Sequence, residues 1–169
     1  MSFSNKPVIE KLERSHDLSG FDCGSEPLNS FLKRYAYQNQ KRGSVQNYLA
    51  LVGGEVVGFY SLTYGQVEHA AAGALAKGMP RHPVPVMVLA RLGVDTSCHG
   101  KGLGSGMLVD ALHRTLQAAE IAGIRAILVH AKDDKAQAFY EHFGFQSMPD
   151  NPLLLYRMLK DIKLMIESE

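Results

Sequence analysis

Gly100, Gly102, Gly104 and Gly106 alternate through the stretch VMVLARLGVDTSCHGKGLGSGM, with Lys101 between the first two. An apolar run, Val86 to Val94, precedes them, and an apolar pattern at helical spacing resumes at Leu108. That order is strand, glycine loop, helix. Such a loop suits an anion, because the first NH groups of a helix lack internal partners and lie at the positive end of its dipole. Glycines let the backbone approach the anion closely, Lys101 adds charge, and a turn chosen only for tightness needs fewer of them. Gly102, Gly104 and Gly106 could also begin a dinucleotide site, but the strand comes late in the chain and no clear acidic partner lies at the expected distance.

Other reactive side chains are sparser. Arg91 is a charge inside an apolar strand, which is costly unless paired, so a carboxylate, carbonyl or phosphate partner is expected; a structural and a substrate-facing role both remain open. By spacing alone, Tyr140 is a core aromatic on a helical stripe with Phe139 and Phe143. Nothing near Cys98 signals thiolate activation, and His113, His130 and His142 read as packed or exposed side chains. Cys23 and Cys98 have no paired metal spacing, so free thiols and no metal are expected. Lys33, Arg34, Lys41 and Arg42 on one helix, with Lys77, Arg81 and His82 further on, can meet phosphates or simply face water.

The elements that must position these residues are readable in order. Pro7 to Leu12 is a first strand. Ser25 caps a helix with Pro27 in its first turn and Leu28, Phe31, Leu32 and Tyr35 on its apolar face, ending near Gly43. Gln46 to Val52 and Glu55 to Tyr64 form a hairpin about Gly53 and Gly54. Gly65 to Pro85 is expected as a long surface excursion, with a short helix at AAAGALAKG. A helix with Leu108, Ala111, Leu112, Thr115, Ala119 and Ala122 on one face stops at Gly123, and a parallel strand, Arg125 to Ala131, follows. Asp133 caps a short helix that stops at Gly144, and Leu153 to Leu159 is a last strand.

At 169 residues, 46% hydrophobic, the chain suits one domain, taken as residues 1–160 with a tail at 161–169. A net charge of +1 argues against coating nucleic acid by overall charge, so any such partner is held by a local patch. No run approaches a membrane span and MSFSNKPVIEK lacks the apolar centre of a signal peptide, so a cytoplasmic location is expected.

RLGVDTSCHGKGLGSGML, with HAKDDKAQAFYEHFGF further on, resembles the acetyl-CoA-binding core of the GNAT N-acetyltransferases. In that family Gln or Arg, two residues, Gly, one residue and Gly or Ala bind the pyrophosphate; His99, Gly102 and Gly104 take those places here, His99 being a departure. FDCGSEPLNSFLKRYAYQNQ, GEVVGFYSLTYGQVEH and PRHPVPVMVLARLGVD extend the likeness to toxins of the TacT type, which acetylate the free amino group of aminoacyl-tRNA. The resemblance implies an α/β fold with a mixed central sheet, splayed at the acetyl-CoA site, and helices on both faces. It implies backbone groups of Leu92 and Val94 along the pantetheine arm, and Gly100, Lys101, Gly102, Gly104 and Ser105 around the pyrophosphate.

Tyr140 then resembles the family's catalytic tyrosine, which protonates the departing CoA thiolate. VPVMVLARLGV lacks the carboxylate base that many relatives carry there, which suits an α-amine titrating near 7.7 to 8.0 better than a lysine. Asp95 or an ordered water remains open as proton acceptor. The implied partners are aminoacyl-tRNA, met by Lys33, Arg34, Lys41, Arg42, Arg81 and Arg91, a ribbon-helix-helix antitoxin, and a second copy in a homodimer. The rival reading is acetylation of a small amine or a protein N-terminus.

Overall fold

The computed structural model describes residues 6–168. Residues 1–5 and 169, which belong to the expected domain and tail, lie outside the described residues. The chain divides into two compact units, Met1–Thr63 with Ala90–Ala111, and Tyr64–Leu89 with Leu112–Glu169. Two strands run through both, β3 (Glu55–Val67) and β4 (Val84–Val94).

In the first unit the strands are ordered β1-β2-β3-β4. β1 (Val8–Lys11) pairs antiparallel with β2 (Gln46–Val52), and β2 pairs antiparallel with β3. Gly53 at φ 59° and Gly54 at φ 84° are both left-handed, the conformation a tight two-residue hairpin demands. Leu12, Phe21, Leu32, Leu49 and Phe59 form the centre of this unit's core.

The first helix departs from its expected register. The Ser25 hydroxyl oxygen accepts from the Leu28 NH, and α1 (Glu26–Ser30) starts as expected with Pro27 in its first turn. A π-helical turn, Phe31–Tyr35, intervenes before α2 (Ala36–Lys41). The wider turn moves the buried position along by one residue, so Ala36 is fully buried while Tyr35, expected on the apolar face, is 55% exposed. A buried network holds this arrangement: the Asn47 side-chain amide donates to the Ala36 carbonyl at 3.0 Å, and its oxygen accepts from the Ser61 hydroxyl at 2.7 Å.

In the second unit the order is β3-β4-β5-β7-β6. β4 runs parallel to β5 (Ala126–His130), from Val86↔Ala126 to Leu89↔Val129. That ladder ends at Leu89↔Val129, although β4 continues to Val94. β5 and β6 (Gln146–Met148) each pair antiparallel with β7 (Asn151–Met158). The mixed sheet of the expected α/β fold is therefore present.

Three local expectations are corrected in this part of the chain. Residues 65–85 are largely exposed, as expected of a surface excursion, but two 3-10 turns replace the short helix and pin it, with Ala72 and Leu75 fully buried against Val84, Val86, Ala126 and Tyr156. Their spacing of three matches the 3-10 repeat. α3 (Leu103–Ala119) starts inside the glycine stretch and ends before Ala122, without using Gly123 as a left-handed cap. β6 was not anticipated, and the expected tail forms α5 (Leu159–Glu167), which buries Ile162 completely.

Candidate active site

Asp95 closes β4 and builds the turn into the loop. One carboxylate oxygen accepts from the Ser97 NH and hydroxyl at 3.0 and 2.8 Å, while the other accepts from the Asp22 NH at 3.0 Å. Burial raises its pKa, but these hydrogen bonds and the nearby His99 outweigh that effect and leave it below the ordinary carboxylate value. A carboxylate so committed is a poor proton acceptor.

His99 has a structural part in the loop. Its Nε2 lies 2.7 Å from the Val94 carbonyl, to which it donates in the tautomer that carries the proton there. This occupies one lone pair of a group expected along the pantetheine arm. Gly100 at φ 76° and Gly102 at φ 79° are left-handed, and a Cβ at either would meet open space. The Gly106 NH bonds to the Gly102 carbonyl at 3.1 Å, so the NH groups of Leu103, Gly104 and Ser105 come before the first bond of α3. Left-handed residues leading into a free helix start form a concave set of donors suited to a pyrophosphate. Gly104 and Ser105 thus belong to the helix itself rather than to the loop before it.

On β4, Gly93 had no anticipated role. A Cβ there would lie 3.2 Å from a Phe59 ring carbon and 3.4 Å from the Cys23 sulfur, so a side chain would push against the core. Its signal in the sequence is a glycine inside a strand pattern. Strand alternation places Arg91 on the same face as Gly93, and Leu92 and Val94 on the opposite one. Among the described residues Arg91 lacks the expected polar partner; its guanidinium carbon sits 3.5 Å from the Phe31 ring centroid. Burial lowers its pKa from the usual arginine value.

The remaining basic candidates are spread over the chain. Lys33 and Arg34 sit in the π turn, Lys41 ends α2 and Arg42 caps it, and all four are exposed in the first unit. Arg81 is exposed in the second unit.

Tyr140 lies on α4 (Asp134–His142). Asp133 accepts from the Ala136 NH at 2.8 Å at the start of the helix, and Gly144, at φ 85°, follows its end. The Tyr140 ring packs against Phe139 and Phe145, with centroids 5.1 and 5.5 Å away, and the residue is 7% exposed. Its hydroxyl makes no hydrogen bond among the described residues, and its oxygen keeps some exposure. Burial pushes its pKa up to about 12. The group therefore holds its proton throughout the neutral range.

That pKa has a consequence for stability. Unfolded, the phenol ionises near 10; folded, it resists ionisation until about 12. The associated stability is complete below pH 10 and is lost as pH rises through 12. Tyrosinate absorbance should show a late-titrating group that is missing in Tyr140→Phe, and that variant should lose less stability between these pH values. A missing group that titrates near 10 would contradict the assignment.

Arg157 on β7 was also not anticipated. One guanidinium nitrogen donates to the Phe143 carbonyl at the end of α4 and lies 3.2 Å from the Met165 sulfur. A Cβ on Gly144 would be 2.9 Å from the guanidinium carbon, so this glycine is needed for space as well as for its φ. The signal, a charge within an apolar strand, is the same as for Arg91.

Among the described residues no group of three or more His, Cys, Asp or Glu side chains could hold a metal ion, and no helix is long and apolar enough to cross a membrane.

The first unit thus offers a strand leading into a set of helix-start NH donors, and the second a buried tyrosine. Residues 11–145 match the Acetyltransferase (GNAT) family, and the chain belongs to it. It is an acetyl-CoA-dependent N-acetyltransferase. It is 43% identical over 157 residues to the tRNA-acetylating toxin of Mycobacterium tuberculosis (strain ATCC 25618 / H37Rv), covering 92% of this chain and 94% of that protein. AtaT complexed with acetyl-methionyl-tRNAfMet superposes with a TM-score of 0.87 at 29% identity, covering 95% of this chain and 99% of that one. A tyrosine-to-phenylalanine mutant of AtaT, bound to acetyl-CoA and the C-terminus of the antitoxin AtaR, gives a TM-score of 0.82 at 29% identity, covering 95% and 98% of the two chains.

Proposed function

We propose that the chain is the toxin of a type II toxin-antitoxin pair, moving acetyl from acetyl-CoA to the α-amine of an aminoacyl-tRNA. An acetylated amine cannot attack the peptidyl ester, so translation stops. The observation that carries this reading is the 43% identity to a tRNA-acetylating toxin over nearly the whole of both chains.

The chemistry of the residues agrees with it. Backbone groups of Leu92 and Val94 hold the pantetheine arm, and Gly100, Lys101, Gly102, Gly104 and Ser105 cradle the pyrophosphate. His99 fixes the end of β4 through the Val94 carbonyl. The neutral amine attacks the thioester carbonyl, the C–N bond forms, and the C–S bond breaks as the tetrahedral intermediate collapses. Tyr140 gives its proton to the departing thiolate. With a pKa of about 12 it is the weaker acid of the two, so it donates as the C–S bond breaks and is reprotonated as the amine nitrogen sheds its proton. Asp95, held by Asp22 and Ser97, is a poor acceptor, so water relays that proton from the amine to the tyrosinate. An α-amine near pKa 8 needs no stronger base.

Lys33, Arg34, Lys41, Arg42 and Arg81 meet tRNA phosphates. The catalytic domain, which includes α5, works in the cytoplasm as a homodimer and is neutralised by a ribbon-helix-helix antitoxin. Mass analysis of a charged tRNA pool after incubation with acetyl-CoA tests the reading. Acetyl on the aminoacyl group supports it; none on any tRNA contradicts it.

A further inference from the structure

Arg91 carries a charge that no described residue neutralises. Phe31 lies under the face of the guanidinium at 3.5 Å, an attraction that leaves the charge whole and the edge donors unused. Among the described residues no carboxylate or carbonyl accepts from it. The side chain is half-buried, on the same face as Gly93, which is pressed against Phe59 and Cys23. A partly desolvated cation without a counter-charge is costly on its own, and an anionic ligand repays that cost.

The position of Arg91 selects the anion. It adjoins Leu92 and lies three residues from Val94, so at about 3.3 Å per residue it sits within about 10 Å of both backbone positions proposed for the pantetheine arm. The coenzyme's own pyrophosphate has its proposed cradle beyond the Asp95 turn, at Gly100 to Ser105. The acceptor amine must reach the thioester at the end of that arm, and the closest negative charge on its tRNA is the phosphodiester joining the aminoacylated nucleotide to the one before it. We propose that Arg91, stacked on Phe31, binds this terminal phosphodiester edge-on and thereby sets where the aminoacyl end stops. This rests on the aminoacyl-tRNA reading above.

The test compares three acceptors carrying the same amino acid: full-length tRNA, a CCA trinucleotide, and adenosine without phosphate. In Arg91→Ala the KM for the two phosphate-bearing acceptors should rise about 10- to 100-fold, the loss of a charge-assisted hydrogen bond. It should exceed any loss on aminoacyl-adenosine by about tenfold or more, with the KM for acetyl-CoA unchanged. Arg91→Lys, which keeps a cation over Phe31 but loses the planar fork, should fall between. The salt dependence of trinucleotide binding should weaken by about 0.7 in logarithmic slope. Equal losses on all three acceptors would assign Arg91 to packing and overturn the proposal, as would no loss on any. If the wild-type protein acetylates no aminoacyl-tRNA, the functional reading fails first, a result distinct from both.

Discussion

Replacing Tyr140 with phenylalanine should lower kcat/KM for acetyl transfer by about 100- to 10,000-fold, the range over which a positioned acid contributes. The structure makes this substitution unusually clean. The ring contacts with Phe139 and Phe145 do not depend on the hydroxyl, and the hydroxyl has no partner among the described residues to be stranded by its removal. Thermal stability near neutral pH should therefore stay within about 0.5 kcal/mol of the parent. Acetyl-CoA affinity, measured by calorimetry, should also be unchanged, because the proton is needed only as the thiolate departs. Full activity in the folded variant would remove Tyr140 from the mechanism, and lost coenzyme binding would reassign it to the binding site.

Reversing Lys33, Arg34, Lys41 and Arg42 together to glutamate should lower tRNA affinity by about 100- to 1,000-fold at moderate salt and flatten its salt dependence, since each phosphate contact releases counterions. These side chains are exposed, so the fold should tolerate the change. Lys41 and Arg42 lie at a helix C-terminus, where reversal costs about 0.3 to 1 kcal/mol each through the dipole. Acetylation of a small aminoacyl ester should persist, because neither the loop nor Tyr140 is touched. Unchanged turnover of tRNA would place the acceptor on another surface.

What the sequence disclosed followed how local the governing chemistry is. The Gly53-Gly54 hairpin, the Asp133 cap and the Gly144 stop were legible because a few adjacent residues decide each of them. The register of the first helix was not, because the π turn that exposes Tyr35 is held by Asn47 and Ser61, which come from strands later in the chain. The start of α3 was missed because glycine is a poor helix former, yet Gly104 and Gly106 lie within the helix. In sequence the last helix looks like a tail because charged residues surround Ile162 and obscure the face it buries.

The site divided in the same way. A glycine turn opening a helix was legible in the alternating glycines, although two left-handed residues and a helix start, rather than one long loop, make it. Arg91 announced itself as a charge out of place, but its partner proved to be an aromatic ring distant in sequence. Tyr140 was beyond pattern alone: the spacing that makes it a core aromatic is correct, and the hydroxyl that the proposed chemistry uses has no partner among the described residues, which only the structure reveals.

The central claim is tested most directly at the 3′ end of the acceptor. After incubation of the protein and acetyl-CoA with a fully charged tRNA pool, nuclease digestion releases the terminal aminoacyl-adenosine of each tRNA for mass spectrometry. At least one aminoacyl-adenosine should carry an acetyl group on its α-nitrogen, dependent on acetyl-CoA and absent with Tyr140→Phe. A pool left entirely unacetylated by folded, acetyl-CoA-binding protein would contradict the account.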